Sequence, residues 1–472
     1  METSTSHSAQ TSATRAEVTG TSNRSTTPSS TAFQDYIGSH WAERADQLPP
    51  ARESASYARH RRDRVSERFA GRRLVVRAGS LAVRSNDTDF PFRAHSAFSH
   101  LTGWGSDAEP DSVLVFEPAA SGHNVTLYFR ERADRSSSEF YANPAIGEFW
   151  TGARPSLAQV AADLDIATAH IDTLSTSNDD VTLDDGELAS VLSELRLVKD
   201  EYEVAQLQAA VDATQRGFDD VIADFPRIVR ERRGERAVEG TFYTRARLDG
   251  NAVGYDTIAA AGPHACVLHW TRNDGPVVPG DLILMDAGVE LDSLYTADIT
   301  RTLPVSGTFT DVQRRVYEAV RKAADAAFAI VRPGIIFRDV HAEAMRVIAE
   351  KTAEWGLLPG TAEESLRTEN QFHRRYMVHG TSHHLGLDVH DCAQARREMY
   401  HDGEVAEGMV FTIEPGLYFQ PDDLTVPEEL RGIGVRIEDD ILVTADGAVN
   451  LSSDIPRTAD EVEAWIARQN AK

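Results

Sequence analysis

Short apolar runs alternate along this chain with longer stretches in which apolar side chains recur every three or four positions. Residues 33–70 carry the helical pattern, down to Gly71, and short strand-like runs follow: Leu74-Val75-Val76, Val113-Leu114-Val115-Phe116 and Val125-Thr126-Leu127-Tyr128-Phe129, set apart by Gly, Asp and Pro. With a helical segment near 156–163, these predict an α/β domain. From about Glu187 to Arg232 the pattern changes. Leu192, Leu195, Leu197, Val204, Leu207 and Val211 recur near helical spacing, which predicts long amphipathic helix and places a boundary near 175–200. Two further helices are predicted at Val312–Val331, stopped by Pro333-Gly334, and Val340–Trp355, stopped by Gly356. Strand-like runs at 255–261, 282–289, 409–414 and 433–444 surround them, so the second half reads as α+β. No repeat of short period is visible.

At 472 residues the chain exceeds what one hydrophobic core usually serves, about 250–300 residues, so two domains are expected, over 32–190 and 191–472. The first 31 residues contain 17 Ser or Thr and almost no large apolar side chain, which predicts a disordered tail. It has no apolar core of the kind a signal peptide carries. Hydrophobic residues at 41% and charged residues at 26% are ordinary for a globular protein.

The formal charge is −26, from 74 acidic against 48 basic residues, and it opposes association with nucleic acid or an anionic membrane surface. A hard cation site would use some of that acidity. The arginine-rich run Arg59, Arg61, Arg62, Arg64, Arg68, Arg72 and Arg73 is expected to form a solvated helix face. Cys266 and Cys392 are the only cysteines, which excludes a disulfide framework and predicts a cytoplasmic setting. No apolar run approaches the roughly 18 residues of a membrane span.

Five segments set a candidate metal ligand beside a glycine, a strand or both. They are Leu284-Met285-Asp286-Ala287-Gly288, Tyr295-Thr296-Ala297-Asp298-Ile299-Thr300-Arg301-Thr302, the imidazole-rich His379 to Asp391, Phe411-Thr412-Ile413-Glu414-Pro415-Gly416, and Gly434-Val435-Arg436-Ile437-Glu438. Asp286 and Asp298 lie 12 residues apart, a spacing that suits facing arms of a hairpin. Taken singly, each acid reads as a turn residue and each histidine as an ordinary packed or surface group. What carries weight is all five in this order.

In that order they resemble the creatinase and methionine-aminopeptidase family, whose pita-bread fold holds two metal ions, and most of all its aminopeptidase P branch. The matching phrases are Thr296 to Thr302, the block from His379-Gly380 through Ser382-His383 to His390-Asp391, and Glu414-Pro415-Gly416-Leu417-Tyr418, within about 195–450. Phe92-Arg93 and Phe98-Ser99-His100-Leu101-Thr102-Gly103-Trp104 are similar to the branch's amino-terminal domain. The two aspartates stand one residue further apart than the family's usual pattern, which a longer hairpin tip around Leu291-Asp292-Ser293 would absorb.

The resemblance implies an α/β amino-terminal domain followed by an α+β pita-bread catalytic domain. It implies a dinuclear metallopeptidase that removes the residue preceding an N-terminal-side proline, with a proline dipeptidase as the alternative and a non-catalytic binding module as a more distant one. Asp286 would bind one metal, His383 and Glu414 the other, and Asp298 and Glu438 both. This oxygen-rich set favours Mn²⁺, then Co²⁺. His269 and His390 would donate to the developing oxyanion, Glu414 would move the proton, and His379 would belong to the substrate pocket. Arg436, two residues before Glu438, would steady a carboxylate through a paired hydrogen bond. His384 is expected to point away from His383, and Cys266 is not expected to ligate. Family relatives also suggest a dimer or tetramer.

Overall fold

The computed structural model describes residues 26–471, apart from 29 and 87. Of the tail expected over 1–31, residues 1–25 lie outside the described residues, and Thr31 opens a helix, Thr31–Gly38. The single helix expected over 33–70 is two, Thr31–Gly38 and Ser54–Arg68. Pro49-Pro50 lies between them. Proline lacks the amide hydrogen a helix needs, and it drives the residue before it into extended conformation.

The amino-terminal half is built on a five-stranded sheet in the order Ala167–His170, His123–Phe129, Val113–Pro118, Leu74–Arg77, Val181–Thr182. Its central pairs are antiparallel and its two edge pairs parallel. Strand alternation sends Leu74, Val76, Leu114, Phe116, Leu127 and Phe129 into a core shared with Phe98 and Leu101 of the Ser96–Thr102 helix. Val75, Val113 and Val115 face the opposite side, against Ile171 and Leu174.

The arginine-rich run departs from expectation. Arg61 and Arg62 are only 5% exposed, because both turn inward from the helix, and Arg61 reaches the junction between the halves. Arg61 donates to Asp200 and to the carbonyl of His100, and Arg62 donates to the carbonyl of Leu101. Asp200 begins the Glu201–Ala223 helix through a capping box with Glu203, whose other oxygen accepts from Tyr295 at 2.9 Å.

In the second half, the strands Ile258–Ala261, Leu282–Ala287 and Ile299–Pro304 form one sheet, and Val410–Ile413, Asp439–Thr444 and Gly447–Asn450 form another. Gly416–Tyr418 pairs with Gly434–Arg436 beside them. The helices Glu201–Ala223, Gly234–Asp249, Asp311–Ile330, Phe337–Glu354 and Ala459–Asn470 pack around these sheets over one continuous core. Among the described residues, no helix is long and apolar enough to cross a membrane. Cys266 and Cys392 are buried free thiols.

Candidate active site

Strand ends deliver the candidate ligands to one place. The fully buried run Leu282–Ala287 carries Asp286 near its end, and the chain then turns back through a tip at Leu291–Tyr295, closed by Leu291 and Tyr295 and with Leu294 at positive φ. That tip is where the extra residue was expected. The pairing differs in one respect: Asp286 stands opposite Thr300, and Asp298 precedes the second strand. The arms pinch between these positions, since a Cβ at Gly288 would strike the carbonyl oxygen of Ala297. Val289 therefore begins a separate two-stranded pairing with Val253.

A cavity of about 740 Å³ is lined by Asp286, Asp298, His383, Glu414 and Glu438, and also by His269, His379, His390 and Arg436. All nine residues singled out in the sequence thus meet at one cavity. Asp298, His383 and Glu438 each present a donor atom within 4.8 Å of the others. His383 Nε2 lies 3.2 Å from Asp298 and 3.5 Å from Glu414, while its Nδ1 is 3.3 Å from the carbonyl of His384. Donation from Nδ1 to that carbonyl orients the ring so that Nε2 faces the acids, where it donates to Asp298 while protonated and would offer its lone pair to a metal once that proton is lost.

The donor set can hold divalent cations, and its electrostatics show why. Four carboxylates converge with one guanidinium and one imidazole as compensation. Burial, and then the charge of Asp298, pushes Glu438 well above the usual carboxylate range, and burial raises Glu414 to about 7. His383 is held up at about 9: burial opposes its charge, but the hydrogen bond to Asp298 and the charge of Glu414 outweigh it. Positive charge placed among these oxygens would relieve all three at once.

Arg436 differs from its expected paired hydrogen bond. Its fork is divided, with one nitrogen on Asp286 at 2.5 Å, one on Thr300 at 3.1 Å and one on the Tyr418 hydroxyl at 3.1 Å. Tyr418 also meets His379 Nε2 at 2.7 Å, and burial with the nearby Arg436 charge lowers His379 to about 3, so its imidazole is neutral. His384 turns away, stacked on Phe337 at 4.6 Å between ring centres. The Cys266 thiol donates to the carbonyl of Phe419.

Three participants escaped the sequence reading. Tyr255 places its hydroxyl 2.7 Å from Asp286 and 2.5 Å from Asp298, and burial, then those two charges, keeps it protonated as a donor. Thr300 donates to Glu438 at 2.6 Å, and Tyr418 joins His379 to Arg436. Thr300 and Tyr418 lay inside recognised phrases. Tyr255 lay in none.

Comparison with known proteins agrees with this geometry. The profile of metallopeptidase family M24 matches residues 205–445, and that of the aminopeptidase P amino-terminal domain matches residues 58–182. Xaa-Pro aminopeptidase 1 of Streptomyces coelicolor is 51% identical over 92% of this chain and 91% of its own length. Xaa-Pro aminopeptidase 2 of the same organism is 52% identical over 91% and 94%. Aminopeptidase P from E. coli, in its low-pH form, superposes with a TM-score of 0.77 at 28% identity, covering 89% of this chain and all of that one.

Proposed function

We infer from its membership of metallopeptidase family M24 that this chain is a Xaa-Pro aminopeptidase, a metal-dependent hydrolase releasing the N-terminal residue of peptides that carry proline second. Its fold is the aminopeptidase P amino-terminal domain followed by the pita-bread catalytic domain. The observation that carries the reading is the meeting of two Asp, one His and two Glu, from five separate segments, in one cavity.

In this proposal Asp286, Asp298, His383, Glu414 and Glu438 would together hold two divalent ions. When bound, two such ions supply Lewis acidity and an acidified water. Mn²⁺ suits the oxygen-rich donors best, with Co²⁺ second. Thr300 steadies Glu438, and Tyr255 and Arg436 steady Asp286, so the acids are oriented before any ligand arrives. His269 and His390, at the cavity wall, donate to the oxygen of the scissile carbonyl as charge develops there. Glu414, 3.5 Å from His383 and 3.6 Å from His379, carries the proton from the attacking water to the leaving prolyl nitrogen. The neutral His379 and Arg436 line the substrate side.

A cytoplasmic setting is consistent with two buried free thiols. A dimer or tetramer is the proposed assembly, which light scattering would check. The deciding experiment measures release from a Xaa-Pro-Xaa tripeptide and from a Xaa-Pro dipeptide, before and after chelation and after Mn²⁺ or Co²⁺ is restored. Tripeptide cleavage that disappears with the metal and returns with it is expected. Undiminished cleavage by ion-free protein would overturn the metal mechanism, and cleavage of the dipeptide alone would make the protein a dipeptidase.

A further inference from the structure

The stretch beginning Phe92-Arg93 has no part in the chemistry above, yet it lies against the catalytic half. Arg93 donates through Nε to Glu290 at 2.7 Å and through Nη2 to the carbonyl of Leu387, with Nη1 3.5 Å from Asp388. Ser96, opening the next helix, donates to the same Asp388 oxygen at 2.5 Å. A little further on, Ser106 N–H donates to the carbonyl of Asp292 at the hairpin tip, 2.8 Å away.

Residues 386–391 form neither helix nor strand, and they carry His390 on the cavity wall, its ring 4.3 Å from that of His383. The main chain of this loop is tied by Gly386 N–H to Asp388 O and by Asp391 N–H to His384 O. Thr296 N–H also donates to the carbonyl of Gly386 at 3.1 Å, and side chains on either side of His390 add further ties. Arg196 and Lys199 hold Asp391, one residue after it. Arg93 and Ser96 hold Leu387 and Asp388, three and two residues before it.

We propose that Arg93 and Ser96 are positioning residues for the reaction, through which the amino-terminal domain fixes the loop that presents His390. This rests on His390 being a donor to the developing oxyanion. A displacement of about 1 Å in such a donor can cost on the order of 100-fold in rate. Glu290 and Ser96 are buried, whereas the Arg93–Asp388 pair is part-exposed and screened, so that pair adds little to overall stability. Their effect falls on turnover, and it falls through one imidazole.

The test is a double-mutant cycle in the full-length, metal-loaded protein with a Xaa-Pro-Xaa tripeptide, using Arg93→Met, Asp388→Ala, His390→Ala and each of the first two combined with the third. Arg93→Met and Asp388→Ala should each lower kcat by about 10- to 100-fold with KM nearly unchanged. Metal content should stay near that of the parent in both, and so should the melting temperature of Asp388→Ala, whereas Arg93→Met also leaves the buried Glu290 without its cation. In the His390→Ala background neither should lower kcat further, which a purely structural contact would not produce. The same fold-loss in both backgrounds, or parental kcat in Arg93→Met and Asp388→Ala, overturns the inference while leaving the donor assignment standing. Parental kcat in His390→Ala overturns the donor assignment and the inference with it. Should Arg93→Met fail to fold, Asp388→Ala completes the cycle alone.

Discussion

Replacing Asp391 with Asn should destabilise the protein severely, by an amount that does not vary between pH 5 and pH 7. Asp391 is buried, accepts from Arg196 at 2.9 Å and lies 3.3 Å from Lys199 Nζ, and both cations are themselves buried. Burial opposes its ionisation, but the two cations overcome it and lower the carboxyl from 3.8 to about 2. A carboxyl depressed on folding stabilises the protein fully above its unfolded value and loses that contribution as pH falls through its folded one. The window is therefore about 3.8 down to about 2, below the range to be measured. The shift alone corresponds to about 2 kcal/mol. Deletion costs more, about 3–5 kcal/mol, because two buried cations lose their counter-charge. Urea unfolding followed by tryptophan fluorescence at pH 5 and pH 7 reads it. Lys199→Met added to Asp391→Asn should recover part of the loss by removing one stranded cation. A loss below about 1 kcal/mol, or one that grows markedly from pH 5 to pH 7, refutes the reasoning.

Asp298→Ala should reduce tripeptide cleavage on the order of 1,000-fold and lower bound metal, whereas Cys266→Ala should cleave like the parent; turnover with elemental analysis compares them. Tyr255→Phe removes a donor shared by two proposed ligands, so calorimetric titration with Mn²⁺ should show about 10- to 100-fold weaker binding. Glu109 is raised to about 7, by burial above all, so folding becomes less favourable as pH rises from 4.5 through 7. Glu109→Gln should therefore stabilise by about 1–2 kcal/mol at pH 8, after allowance for partial exposure, and by almost nothing near pH 4.5. Equal shifts in melting temperature at the two pH values would count against this.

The acids that line the cavity were legible because several of them stand at strand ends beside glycines, where local sequence dictates local geometry. Asp286 before Gly288 and Glu414 before Gly416 are of this kind. Helix periodicity likewise showed where Asp311–Ile330 and Phe337–Glu354 lie to within a few residues. Arg61 and Arg62 were misread because periodicity tells which residues share a face and not what that face meets. Tyr255 was missed for a related reason, since a lone tyrosine becomes informative only when two distant carboxylates are brought to its hydroxyl. The division of the Arg436 fork depends on the pairing of Gly416–Tyr418 with Gly434–Arg436, a contact between strands well apart in the chain.

Arg61 is an outside residue by composition and an inside residue by position, and it is shared: its guanidinium completes hydrogen bonds for the carbonyl of His100 on one side and for Asp200 on the other. Neither half therefore has a finished interior without its neighbour, and pulling them apart would strand ionic groups in an apolar setting. Heating should consequently melt both halves in one cooperative transition, and a protease nick near residue 190 should leave two fragments that stay together.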